Sequence, residues 1–138
     1  TILIVGDGPI KNDITEFAKK NNIDVRFTGF LNQSDIGNAY ISSDVYVNTS
    51  LYDASPKTLN ECLCFDKPMV VSDVCGQHSD LIKENVNGFI YKQGNIKDLA
   101  IKIEKSFSLD TKKINEINKV NISNTHPQKA AKNIIEII

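Results

Sequence analysis

Residues 49–76 of the chain are TSLYDASPKTLNECLCFDKPMVVSDVCG. The stretch opens as the end of a strand and passes into an irregular loop. Ser55-Pro56 then reads as a helix start, since proline at the first helical position gives up no needed N–H and serine caps free donors. Leu59, Cys62 and Leu63 recur at helical spacing, which predicts a helix from Pro56 to about Phe65. Pro68 to Ser72 is a short apolar run of strand length, closed by a turn at Gly76. A strand, a helix and a second strand in this order form a βαβ unit.

The same alternation extends outward in both directions. Upstream, Ile2 to Val5 is a continuous apolar run ending in Gly6-Asp7-Gly8-Pro9, as in a strand buried on both faces. Ile10, Ile14, Phe17 and Ala18 predict a helix stopped by Asn21-Asn22. Val25 and Phe27 alternate with Arg26 and Thr28 in a second strand, closed by Gly29. Ser34 or Asp35 is placed to cap a short helix carrying Ile36, Ala39 and Tyr40. Residues 44–48 form a third strand. Downstream, a helix from about Gln77 to Glu84 ends at the Asn87-Gly88 turn, and Phe89 to Tyr91 is a fifth strand. Ile96, Leu99, Ala100, Ile103 and Phe107 mark a long amphipathic helix after Gly94. Residues 110–124 are polar and asparagine-rich, with Ile114 and Ile117 at helical spacing. A last helix follows Pro127, using Ala131, Ile134, Ile135 and Ile138, so residues 110–138 read as a C-terminal helical extension.

Strands alternating with helices predict an α/β fold, a Rossmann-like three-layer sandwich on a mainly parallel sheet. At 138 residues the chain fits one domain. Domains of about 150 residues bury roughly 70% of their unfolded surface, so a self-standing core is feasible. In such sheets ligands bind beyond the carboxyl ends of the strands. The functional search therefore falls on 6–9, 29–32, 49–55 and 73–79.

Composition narrows the partners. Sixteen basic and seventeen acidic residues leave a net charge of −1, which gives no basic patch for nucleic acid. Arg26 is the sole arginine, which weakens any bidentate phosphate clamp built within the chain. With no membrane-length apolar run and no signal-peptide pattern, the expectation is a cytoplasmic protein. Cys62, Cys64 and Cys75 have neither zinc-type nor disulfide-framework spacing, and Cys62 falls on the apolar side of its helix. His78 and His126 lack partners in metal spacing and read as loop residues. No metal site is expected. Thr1 leads directly into a buried-strand pattern, as in a piece of a longer protein whose first strand lies upstream.

Two familiar chemistries fail on residues. Gly6-x-Gly8 follows a strand, but the dinucleotide fingerprint needs a third glycine where Lys11 stands. It also needs an acid where Thr28-Gly29 closes the second strand. A phospho-acceptor receiver needs more acid than Asp7 after its first strand, and Lys67-Pro68 here precedes a strand. Gly6 and Gly8 then either shape a cleft or make a tight turn. The 53–61 segment offers more. A helix N-terminus at a strand end suits a pyrophosphate, with Lys57 and Thr58 adding an ammonium and a hydroxyl. Asp53 is placed to accept from sugar hydroxyls, and Glu61, opposite Leu59 and Leu63, from a ribose. The same residues also read as a surface turn and a solvated Glu61 four positions after Lys57.

The ordered set ILIVGDGP, Val25-x-Phe27-x-Gly29, SDVYVNTS from Ser43, DASPKTLNE at 53–61, DKPMVVSDVCG at 66–76 and NGFIY at 87–91 resembles family 4 glycosyltransferases. It matches their C-terminal, donor-binding half, in the two-domain GT-B fold, up to about residue 107. The resemblance implies a single nucleotide-sugar-binding domain over 1–138, with the acceptor domain elsewhere in the parent. The family's acid-x7-acid pattern falls on Asp53 and Glu61, aspartate replacing the commoner glutamate. It implies that Asp53 is the catalytic acid beside the transferred sugar and that Glu61 holds the ribose. Ala54, Ser55, Lys57 and Thr58 would meet the donor phosphates. Gly29 and Phe30 would lie near the base, and Gly6 and Gly8 would shape the cleft. Cys64-Phe65-Asp66 and Cys75 depart from the small residues and glycine usual there, and Asp80 stands for an acid one residue displaced.

The resemblance further implies a retaining, hexosyltransferase-type enzyme of polysaccharide biosynthesis that needs no cofactor or metal. Its partners would be a UDP- or GDP-sugar and a saccharide or lipid-linked acceptor, with room for peripheral membrane association. The 138 residues alone are expected to be inactive. Two alternatives stay open at this point: a sugar-nucleotide epimerase, for which His78 is the candidate acid/base, and a non-catalytic sugar-nucleotide-binding module.

Overall fold

A computed structural model describes residues 1–125. The chain separates into two compact units, Thr1–Ser43 and a second from Asp44 onward. All strand pairing within the sheets is parallel.

In the first unit, β1 (Ile2–Val5) pairs with β2 (Val25–Gly29), with Ile2 opposite Val25 and a register shift between Ile4 and Val5. Helix α1 (Lys11–Lys20) connects them, and α2 (Ile36–Ser42) follows β2. Asn22, at φ 54°, turns the chain out of α1 as its left-handed tolerance allows. Asp35 stands at the start of α2 without a side-chain cap. The predicted capping of α2 by Asp35 does not form, because Asp35 is itself in helical backbone (φ −96°, ψ −26°) and not in the extended conformation of a cap; Asn32 Oδ1 accepts from the N–H groups of Ser34 and Asp35 just before it.

The second unit holds a three-stranded sheet in the order β3 (Tyr46–Asn48), β4 (Met69–Ser72), β5 (Gly88–Tyr91). The expected strand at 44–48 is shorter than its sequence pattern. β4 is central and buried along its whole length, as a parallel strand covered on both faces must be. The helices of this unit are α3 (Lys57–Leu63), α4 (His78–Leu81), α5 (Ile96–Ser106) and α6 (Thr111–Thr125); α5 packs on β4 and β5, and α3 packs on α6. Leu59, Cys62, Leu63, Met69, Val70, Val71, Leu81 and Ile114 are at most 2% exposed. At roughly 1.5–3 kcal/mol for each large apolar side chain, this cluster is the main stabiliser of the unit.

α4 and α5 both depart from the sequence expectation. α4 ends at Leu81 instead of Glu84, because the Lys83 N–H goes to Asn87 Oδ1 (2.8 Å) and not to the preceding turn. α5 begins after Asn95, whose side chain accepts from the Asp98 N–H. Its apolar face is narrower than expected, with Ile96 and Phe107 mostly exposed and Ser106 buried.

The asparagine-rich stretch is fully helical as α6, and its polar residues dock it. Asn115 and Asn118 donate to the two oxygens of Asp66 (2.5 and 3.3 Å), and Asn121 donates to Leu81 O (2.7 Å). Buried Asn87 donates to Asn118 Oδ1 (3.0 Å) and to Leu81 O (2.9 Å). A hollow of about 550 Å³, lined by Asp66, Lys112, Asn115 and Lys119, lies beside this junction. Asp66 precedes β4, so the hollow is at the amino end of that strand, away from the loops beyond the carboxyl ends. The helix expected after Pro127 and His126 lie outside the described residues. Among the described residues, no helix is long and apolar enough to cross a membrane.

Candidate functional site

The loop after β3 is organised from the strand outward. Tyr46 and Asn48 are two apart and share a face of β3. Asn48 Nδ2 donates to the Tyr46 hydroxyl (3.2 Å), and Tyr46 donates to Thr58 Oγ1 (2.7 Å). Burial raises the Tyr46 phenol above its ordinary range, partly offset by its bonds to Thr58 and Asn48, so it stays protonated as a donor. Asn48 Oδ1 accepts from the Ser50 N–H (3.0 Å), bending the chain into the loop that carries Asp53. Tyr46 and Asn48 were missed in the sequence, although their spacing along the strand was the signal.

Asp53 is half-buried, and its Oδ1 accepts from the Ser55 N–H (3.2 Å) in an Asx turn. That turn corrects the expected helix start. Pro56, not Ser55, is at the cap position, with φ −68° and ψ 115°, and no side chain caps α3. The first-turn N–H groups belong to Lys57, Thr58 and Leu59, and the last donates to Pro56 O (3.2 Å). Ser55 and Ala54 are exposed beside Asp53. With seven residues α3 spans about two turns, so its dipole supports an anion less than the expected longer helix would. Thr58, half-buried, turns its hydroxyl toward β3. Lys57 is exposed, and Glu61 is half-buried one turn further on.

The loop after β4 is bound to the loop after β3 along its backbone. Ser72 Oγ donates to Ser50 O (3.1 Å), the Gly76 N–H donates to Asp53 O (2.7 Å), and Cys75 bridges Asp53 in parallel. Asn60 Nδ2 on α3 donates to Gln77 Oε1 (3.3 Å). Gln77 is left-handed at φ 62° and opens α4. His78 Nδ1 contacts Cys75 O. A carbonyl only accepts, so this contact places the proton of a neutral ring on Nδ1.

The first unit contains the remaining candidates. Gly6 and Gly29 meet across the strand ends, with the Gly6 N–H donating to Gly29 O (2.8 Å) and positive φ at both. The Gly8 N–H is taken by Asp7 Oδ1 (2.8 Å), whose other oxygen pairs with Lys11 (3.1 Å). Lys11, and then the Gly8 N–H, hold the Asp7 carboxyl below its usual range. Gly8 thus serves the turn itself. Phe30 is 85% exposed. Arg26, the lone arginine, lies 3.3 Å from Asp24.

Cys62 and Cys75 are fully buried, and Cys64 is exposed. Burial pushes the Cys62 thiol up to about 12 and also raises Cys75, whose thiol is further disfavoured as an anion by Asp53. Neither is a thiolate near neutral pH. The packing role expected of Cys62, beside Leu59 and Leu63, is observed.

The sequence profile of the family described as "Glycosyl transferases group 1" matches residues 1–136. The chain is 30% identical over 95 residues to the UDP-Gal:alpha-D-GlcNAc-diphosphoundecaprenol alpha-1,3-galactosyltransferase of Escherichia coli, covering 68% of this chain and 24% of that protein. A crystal structure of a glycosyltransferase from Rickettsia africae superposes with a TM-score of 0.79 at 28% identity, covering 98% of this chain and 38% of that one. The Anabaena protein HepE, crystallised with UDP and glucose, shares the fold at a TM-score of 0.76 and 20% identity, over 99% of this chain and 40% of its own. The chain spans between 20% and 28% of the length of the curated relatives it matches. With the parallel α/β architecture and the ordered loops at its strand ends, this chain belongs to the group 1 glycosyl transferases and has the fold of their GT-B members.

Proposed function

We propose that the chain is the donor-binding domain of a retaining glycosyltransferase that moves a hexose from a nucleoside diphosphate sugar to a saccharide or lipid-linked acceptor. The observation that carries this reading is the placement of Asp53 and Glu61. Asp53 is oriented by its own Asx turn and by the neighbouring loop, and Glu61 sits half-buried on the helix that begins four residues later. Glu61 accepts from the ribose hydroxyls, and Asp53 orients the sugar by accepting from its hydroxyls. First-turn N–H groups of α3 and the Lys57 ammonium favour the departing diphosphate, although this short helix supplies less of that charge than its sequence suggests. The leaving phosphate takes the acceptor proton on the face it departs from, which retains the anomeric configuration. No metal is required in this scheme. UDP is the favoured nucleotide, since UDP or a UDP-sugar is named for two of the similar proteins. Acceptor recognition falls to a preceding domain, so the 138 residues alone do not turn over.

The test is made in the two-domain enzyme with a panel of UDP- and GDP-sugars, following release of the nucleoside diphosphate. Asp53→Asn is expected to lower turnover about 100-fold, the scale of a misplaced reacting group. Glu61→Gln should instead weaken the nucleotide by roughly 10-fold or more, as a lost charged hydrogen bond does. Wild-type turnover in both variants would refute the assignment.

A further inference from the structure

Gly76 is constrained by space and not by backbone angle. Its φ is not positive, so alanine could adopt the backbone, yet a Cβ there would lie 1.8 Å from Ala54 O and 2.5 Å from Ala54 C. Carbon atoms never approach a carbonyl so closely. The glycine lets the chain after β4 lie directly on the chain that carries Asp53. The contact is bonded as well as close: the Gly76 N–H donates to the carbonyl of Asp53 itself at 2.7 Å.

Two further bonds flank it, from Ser72 to Ser50 and from Asn60 to Gln77. The second brings α3, one residue before Glu61, into the same arrangement. Three contacts thus run from β3, through the Asp53 loop, to α3. All of them meet the segment 72–77, which offers little charge of its own beyond Asp73.

We propose that segment 75–77 is a positioning strap for Asp53, with Gly76 the residue on which it depends and the Asn60–Gln77 bond its second fastening. The proposal rests on the donor-site reading above and deepens it. Gly76 touches no substrate and acts only through the Asp53 backbone. Nucleotide affinity is carried elsewhere, by Glu61 and the start of α3. Loosening the strap therefore moves the sugar-orienting carboxylate and the adjoining Ala54, and leaves the nucleotide contacts of Glu61 and the first turn of α3 in place.

Gly76→Ala forces the loops apart by about 1 Å, a displacement that can cost ~10²-fold in rate. In the two-domain enzyme, with the panel of UDP- and GDP-sugars, kcat is expected to fall about 100-fold. The inhibition constant of UDP or GDP should stay within about twofold. Asn60→Ala, which creates no clash, should lower kcat about 3- to 10-fold with the same unchanged inhibition constant. Should Gly76→Ala fail to fold, Asn60→Ala decides alone: the split supports the strap, and wild-type kcat overturns it. Equal losses of kcat and of nucleotide affinity in either variant make the contact merely structural, and also overturn it. Asp53→Asn separates the two levels. If it is impaired while Gly76→Ala works at wild-type rate, the strap fails and the donor site stands. If Asp53→Asn is itself unimpaired, or the wild type turns over no donor, the donor-site reading fails and takes the strap with it.

Discussion

Asp53 shows how one side chain can be legible and its setting not. Its type and its spacing to Glu61 mark it in the sequence, as does its place after a strand. Its orientation depends on the Ser55 N–H and on Gly76, which is 23 residues away and carries no local signal. Thr58 is the converse case. The sequence reading assigns its hydroxyl to the phosphates; the fold adds that its oxygen accepts from the Tyr46 phenol, a partner the sequence did not signal. Cys62 allows a test of packing at this same scale. Its folded thiol is raised from 9.0 to about 12 by burial, so between those values the unfolded chain has lost the proton that the folded chain keeps. Stability is therefore unaffected below about pH 9 and falls as pH rises toward about 12. Urea unfolding at several pH values should show wild type losing up to about 1.4 kcal/mol per pH unit more than Cys62→Ala across that window. Parallel pH profiles for the two proteins would contradict the assignment.

Among the elements, strands and their order were the most legible, since strands read as apolar runs; burial was less so, because β1, expected to be covered on both faces, is exposed at Ile2, Leu3 and Val5. β4, by contrast, is buried at all four positions. Helix ends were less legible, since the competing acceptors are distant in sequence. Asn87 shortens α4, and the Asp53 turn moves the start of α3 past Ser55. α6 was legible as a helix but not in how it docks. Apolar periodicity detects Ile114 and Ile117 but is blind to a helix docked by Asn115, Asn118 and Asn121 through polar bonds. This contrast yields a paired expectation by denaturant unfolding. Asn118→Leu leaves buried Asn87 with Leu81 O alone and half-buried Asp66 with Asn115 alone, and should cost about 2 kcal/mol, as a buried polar group that loses its partner does. Ser55→Ala, at an exposed residue that caps nothing, should stay within about 0.5 kcal/mol of wild type. A loss of about 1 kcal/mol at Ser55 would restore it as a helix cap.

At the scale of the whole chain, family and fold agree with the sequence reading, and the candidate residues fall in two separate units. Asp53, Lys57, Thr58 and Glu61 belong to one, and Gly6, Gly8, Gly29 and Phe30 to the other. The second unit holds both acids and the strap that orients one of them, so donor binding is assigned to it. A scarcity of arginine, with Arg26 beside Asp24, means that the described residues offer little positive charge to a diphosphate. Binding by this chain alone should accordingly be weak. The most direct measurement is an NMR titration of the 138-residue chain with UDP and, separately, GDP. Weak, saturable shifts concentrated at residues 53–61, and lessened in Glu61→Gln, are the expected result. Shifts centred elsewhere in the second unit, or none with either nucleotide, would contradict the placement of the donor site.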